Sequence, residues 1–218
     1  MNVYLEEKSF MKAKIIENYI LHYNRNGKMP VSIFEFCENL QITESQFYDE
    51  FSDFDSIEAE ILAQVWSDSL HKVSSQDYYL ELSQQEKLLS VVYAFFENLK
   101  NYRSYLLLKY KDWKNPMQSI ETMNALKNRF FEYLDGLKIE NTGIGIPQVD
   151  KYLDKGMHHG LFTNLAFVMN FWLNDKSKGF EKTDACIEKS FSLSFELISN
   201  NAIQKAFDFG KFLLAELK

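Results

Sequence analysis

His158 and His159 are the pair in this sequence best suited to metal or proton-transfer chemistry, and their spacing argues against it. Adjacent residues on a helix point about 100° apart, whereas histidines that chelate from one helix sit three or four positions apart. One ring is therefore expected to pack and the other to face water, with either able to give a ligand a polar contact. Cys37 and Cys186 lie far apart, so no metal set, redox pair or disulfide framework follows. Free thiols fit a reducing cytoplasm. Gly143-Ile144-Gly145 is too little of a phosphate-binding loop to count. No nucleophile–base arrangement and no pair of catalytic carboxylates emerges. The sequence thus predicts no enzyme, no metal and no cofactor.

Charge is more informative. The chain of 218 residues carries a net −7, and its distribution is uneven. Residues 1–60 hold 5 Lys/Arg against 12 Asp/Glu, whereas residues 61–218 hold 19 of each, so the whole excess sits in the first quarter. Met1 to Phe10 includes Glu6, Glu7 and Lys8 and has no apolar core, unlike a secretory leader. The apolar run from Leu88 to Phe96 is too short to span a bilayer.

The elements that must position these residues read as helices. Only 3 Pro and 8 Gly interrupt the chain, and apolar residues recur at helical spacing. A first helix is expected over Met11–Tyr23, stopped at Gly27. Ser32 with Glu35 makes a capping box for a second, Ile33–Leu40. Thr43 with Gln46 caps a third, which runs to about Phe51. Asp55 or Ser56 starts a long fourth through Leu70. Further helices are expected near 84–101, 102–113, 116–136, 148–174, 180–199 and 202–217, with a boundary at Asn115-Pro116 and a main loop over Asn141–Pro147.

Residues 32–51 thus form two short helices around a tight turn, a helix-turn-helix pattern whose second helix would enter the DNA major groove. From Ile15 to Leu62 the chain resembles the TetR family of bacterial repressors. The resemblance is carried by Ile15, Ile16, Tyr23 and Gly27, then Ser32 and Phe36-Cys37, then Ile42-Thr43, then Phe47-Tyr48-Asp49-Glu50-Phe51, and finally Asp53-Phe54-Asp55-Ser56-Ile57. It implies an all-α fold, with a three-helix head over residues 1–58 and a helical-bundle ligand-binding and dimerisation body over 59–218. Phe36, Ile42, Phe47, Phe51 and Ile57 would pack the head. The DNA-facing candidates are Arg25, Lys28, Ser32, Thr43, Ser45, Gln46 and Tyr48. The sequence departs from the family where its closing stretch carries a phosphate-contacting Lys, which is Phe54 here, and the recognition helix carries Glu44, Asp49 and Glu50 without a Lys or Arg. Phosphate affinity comes largely from cations, so this acidity opposes duplex DNA.

In the body, the resemblance implies an apolar cavity, for which Tyr93, Phe96, Trp113, Met117, Phe130, Met157, His158 and Phe162 are candidates; each could equally be plain core. Residues 157–174 and 180–199 resemble the family's paired dimerisation helices, with Phe167, Phe171, Ile187, Phe191 and Phe195 as seam candidates. The segment 202–217 is amphipathic and is read as docking on the body, with a peripheral membrane contact as the lesser reading.

The expectation is a cytoplasmic, homodimeric TetR-like transcriptional regulator whose DNA binding is released by a hydrophobic small molecule. Two alternatives stand beside it. One is a lipid- or isoprenoid-binding accessory protein on the same fold that does not bind DNA. The other is an interaction module whose acidic head docks on a basic partner.

Overall fold

The computed structural model describes residues 2–110, 123–137, 139 and 147–199. Every regular element among them is helical. In order these are α1 (Asn2–Asn26), α2 (Ile33–Leu40), α3 (Glu44–Tyr48), α4 (Phe54–Ser74), α5 (Gln84–Leu99), α6 (Arg103–Lys109), α7 (Asn124–Leu137), α8 (Pro147–Asn174) and α9 (Glu181–Ser199). Short 3-10 turns at Asp77–Glu81, Lys100–Tyr102 and Lys178–Phe180 join α4 to α5, α5 to α6 and α8 to α9.

The head forms from local signals. Gly27 adopts φ +67° and its N–H reaches the Tyr23 carbonyl at 2.8 Å, closing α1 where glycine makes a left-handed residue inexpensive. The Ser32 hydroxyl accepts from the Glu35 N–H at 3.2 Å and starts α2. Thr43 and Gln46 form a reciprocal box for α3: the Thr43 hydroxyl accepts from the Gln46 N–H while Gln46 Oε1 accepts from the Thr43 N–H at 2.9 Å. Between them Gln41 takes φ 56°, and its N–H caps the α2 carbonyls.

Four boundaries differ from expectation. α1 begins at Asn2 rather than Met11, and α3 stops at Tyr48 rather than Phe51. Asp53, not Asp55 or Ser56, caps α4: its carboxylate accepts from the Ser56 N–H at 2.7 Å, and the Ser56 hydroxyl accepts from the Asp53 N–H in return. α4 then continues to Ser74, because buried Trp66, Ser69 and Val73 extend its packed face beyond Leu70. It therefore runs without a break across position 58, where the boundary between head and body is expected. The Asn115-Pro116 boundary, the Asn141–Pro147 loop apart from Pro147, and the 202–217 helix lie outside the described residues.

The body is built around α4, which packs against α5 and α7. α8 and α9 form an antiparallel pair closed by a tight turn, and α9 also lies on α5. α6 sits between α1 and α8. Arg103 organises the α8–α9 turn. Its guanidinium stacks on Trp172 and Phe180 at 4.6 and 4.5 Å and donates to the carbonyls of Trp172, Leu173 and Asp175. Those are the orphan acceptors of a helix C-terminus. Among the described residues no helix is long and apolar enough to cross a membrane.

Candidate functional site

The face that α2 and α3 present is set by what they bury. α2 turns Phe36, Cys37 and Leu40 inward, and α3 turns only Phe47 inward. Phe47 meets Phe36 edge-on at 6.2 Å and Phe54 at 5.9 Å. Phe54 closes the set, 5.5 Å from Phe36 and 5.7 Å from Tyr19. Phe54, which stands where the resemblance implies a phosphate-contacting Lys, is thus a buried member of this aromatic core. Phe36, Phe47, Phe51 and Ile57 are buried as expected, while Ile42 is half-buried.

The candidate DNA contacts separate into two kinds. Ser32, Thr43 and Gln46 are exposed, yet their side chains are engaged in capping. Arg25, Lys28, Ser45 and Tyr48 are exposed. Arg25 lines an open groove of about 390 Å³ between α1 and α2, together with Asn18, Leu21, His22, Asn26, Phe36, Asn39 and Leu40. Around the face Glu35, Glu38, Glu44 and Asp49 are exposed and Glu50 is half-buried. From Met29 to Leu70 the sequence has no Lys or Arg at all.

Head and body meet through two carboxylates on α4. Glu58 accepts from the Tyr19 hydroxyl of α1 at 2.6 Å and pairs with Lys109 of α6. Burial and the Glu58 carboxylate push the Tyr19 phenol far above its ordinary value, so it remains a donor. Glu60 accepts from Lys12 of α1 at 2.7 Å and from Arg129 of α7. Arg129 donates further to the Ala63 carbonyl and the Ser67 hydroxyl. Nothing in the sequence pattern singled out these carboxylates, because their partners lie 39 or more positions away.

The cavity candidates divide similarly. Phe130 and Phe162 are fully buried and 5.7 Å apart, with Met157 buried beside them in the same core. Phe96 is buried against Trp172 at 6.2 Å. Tyr93 lies at the edge, its hydroxyl 3.4 Å from the Asp184 carbonyl. His158 is half-buried against Phe131 at 5.5 Å, and His159 is exposed. Burial lowers the His158 pKa, and the nearby carboxylates of Asp135 and Asp154 oppose the shift without reversing it. Trp113 and Met117 lie outside the described residues. The centre of the group is Trp66, which sequence reasoning missed: it packs on Phe130 at 5.1 Å, Phe95 at 5.5 Å and Tyr133 at 5.8 Å. The indole N–H groups of Trp66 and Trp172 are buried with no hydrogen-bond partner among the described residues. Among those residues no group of His, Cys, Asp or Glu could hold a metal ion.

The seam candidates require a correction of face. Phe167 and Phe171 on α8 are exposed, but Ile187, Phe191 and Phe195 on α9 are buried inside the chain. The outer side of α9 carries Leu193 and Leu197 instead, 57% and 55% exposed. The apolar periodicity of α9 marked the side facing its own chain.

Residues 87–213 match the model of a family described as tetracyclin repressor-like, C-terminal domain. No curated protein matches the chain.

Proposed function

The chain belongs to the tetracycline repressor-like family, a membership carried by residues 87–213, and from that premise we propose that it is a ligand-responsive TetR-like regulator. In this reading residues 1–58 form the DNA-reading head and residues 59–218 the ligand-binding and dimerisation body. The observation that supports it best is the shared helix α4, whose Glu58 and Glu60 bind head and body side chains together. A shift of α4 in the body must therefore move α1 in the head. Arg25, Lys28, Ser45 and Tyr48 would contact duplex DNA, with Ser32, Thr43 and Gln46 fixing the helices that present them. A hydrophobic small molecule would enter the aromatic core of Phe96, Phe130, Met157, His158 and Phe162, with Tyr93 at its edge; the candidates Trp113 and Met117 lie outside the described residues. Occupancy would favour a head spacing that no longer fits two DNA half-sites. The two heads would be joined by the exposed α8–α9 face, and the protein would act in the cytoplasm, without enzymatic activity.

The test is a salt titration of the full chain on the DNA upstream of its own coding sequence, read by fluorescence anisotropy. Saturable binding that weakens with salt and survives competitor DNA is expected. No binding at low salt would remove this reading.

A second reading is favoured by the carboxylates around α2 and α3 and by the two indole donors in the body that have no partner among the described residues. In it the chain is a lipid- or isoprenoid-binding accessory protein that leaves DNA alone. It predicts an apolar ligand with an acceptor oxygen in lipid extracts of the purified protein.

A further inference from the structure

The outer side of α2 and the segment leading into it expose large apolar side chains that none of the described residues covers. Val31 is 83% exposed and Phe34 64%, and Tyr48 on α3 is half exposed. Buried Phe36, Cys37 and Leu40 fix the opposite side of α2 to the core, so Phe34 cannot turn inward without unseating them. An exposed apolar patch rimmed by polar groups marks an interaction surface.

The charge around this patch decides what can cover it. Ten carboxylates and no Lys or Arg lie between Met29 and Leu70. Glu58 and Glu60 are neutralised by Lys109, Lys12 and Arg129, and Asp53 is committed to capping α4. Glu35, Glu38, Glu44 and Asp49 stay exposed, with no cation within ion-pair distance among the described residues. Polyanions and acidic lipid surfaces are repelled by such a face. A small polycation would meet the carboxylates but leave Val31 and Phe34 in water. A partner that satisfies both must interleave Lys or Arg with large apolar side chains.

We propose that the α2–α3 face docks a basic, amphipathic segment of a second protein. Its apolar ridge covers Val31, Phe34 and Tyr48, and its cations meet Glu38, Glu44 and Asp49. Partner and duplex DNA would exclude each other, because both use the side of the head that presents α3. The inference does not rest on DNA binding and stands whether or not the head reads DNA.

The probe is a fluorescein-labelled synthetic amphipathic Lys/Leu helix, with an oligo-Lys peptide of equal charge as control. Anisotropy is followed across a salt series with the full chain. The Lys/Leu helix is expected to saturate one site per chain and the oligo-Lys peptide to bind more weakly. Phe34→Ser removes an exposed ring and keeps the fold, and should weaken the Lys/Leu helix about tenfold. Glu44→Gln with Asp49→Asn should weaken it comparably and flatten its salt dependence. Glu132→Gln with Glu181→Gln, remote from the face, should change neither. Equal affinity for both peptides, indifference to Phe34→Ser, or binding lost equally in the remote pair would overturn the proposal. Failure of the DNA titration alone would remove the regulator reading and leave this one intact.

Discussion

Lys12 of α1 donates to Glu60 of α4 at 2.7 Å, on the same carboxylate oxygen that Arg129 of α7 reaches from the other side. One acidic side chain thus holds three helices, and its pair with Lys12 is one of two polar ties from α1 to α4 among the described residues, the other being Tyr19–Glu58. At 16% side-chain exposure Glu60 is screened less than a surface ion. Both cations are about a third exposed, so they can rehydrate when it is removed.

Glu60→Gln is therefore expected to cost about 1–2 kcal/mol, intermediate between exposed and buried pairs. That corresponds to a fall of about 2–8 °C in Tm for a chain of this size. Native-state hydrogen exchange should show the loss concentrated in α1, where the amides would open more readily than those of α5. A uniform loss across the chain would mean that Glu60 supports the fold without tying the head to the body.

The turn after α8 carries a pH-sensitive cap. Burial of the Asp175 carboxylate would raise its pKa, but it accepts from the N–H and hydroxyl groups of Ser177 and Thr183, and these four donors hold it at about 2 rather than 3.8. Because the folded value lies below the unfolded one, the cap contributes its full stability above about pH 5 and loses it as pH falls through 4 towards 2. Asp175→Asn is expected to cost about 1–2 kcal/mol at neutral pH, and the gap from the parent should narrow near pH 3. Urea melts at the two pH values read both; a gap independent of pH would place the carboxylate's contribution elsewhere.

On the outer side of the α8–α9 pair, Phe171 and Leu193 are exposed while Phe191 is fully buried. If the α8–α9 face joins two chains as proposed, Phe171→Asp and Leu193→Asp should each convert the dimer to a monomer by light scattering, with helical content unchanged. Phe191→Ala should instead lower stability by about 3–5 kcal/mol, the usual consequence of emptying a core ring. A dimer that survives both surface changes would move the seam to another face.

The contrast between these residues shows what was legible in the sequence. Ser32, Thr43, Gln46 and Gly27 were readable because caps and helix stops depend on neighbours a few positions away. The existence of the α8–α9 pair was readable from its turn, but its periodicity marks a buried stripe and cannot say which chain buries it. Phe54 was read only as the absence of a phosphate-contacting Lys, and its packing role appears where its ring joins Tyr19, Phe36 and Phe47. Trp66 escaped notice because α4 buries Ile61, Leu62, Ala63, Val65 and Trp66 nearly in succession, so no single apolar stripe draws attention to one side chain. Glu58 and Glu60 drew no notice because the groups they bind are distant in sequence.

Trp66 supplies the most direct test of whether the aromatic core is also a ligand site. Its indole N–H is buried without an acceptor among the described residues, and an unsatisfied buried donor carries a penalty of about 1–3 kcal/mol. Trp66→Phe removes that penalty and leaves a void of similar opposing weight. The two effects should nearly cancel, keeping the ligand-free protein within about 1 kcal/mol of the parent. If an apolar ligand places an acceptor oxygen against this N–H, the same change should reduce the lipid recovered from the purified protein, measured by mass spectrometry, while Tm of the stripped protein stays put. Unaltered lipid recovery would assign the donor to packing alone and direct the search for a ligand away from the Trp66–Phe130 contact.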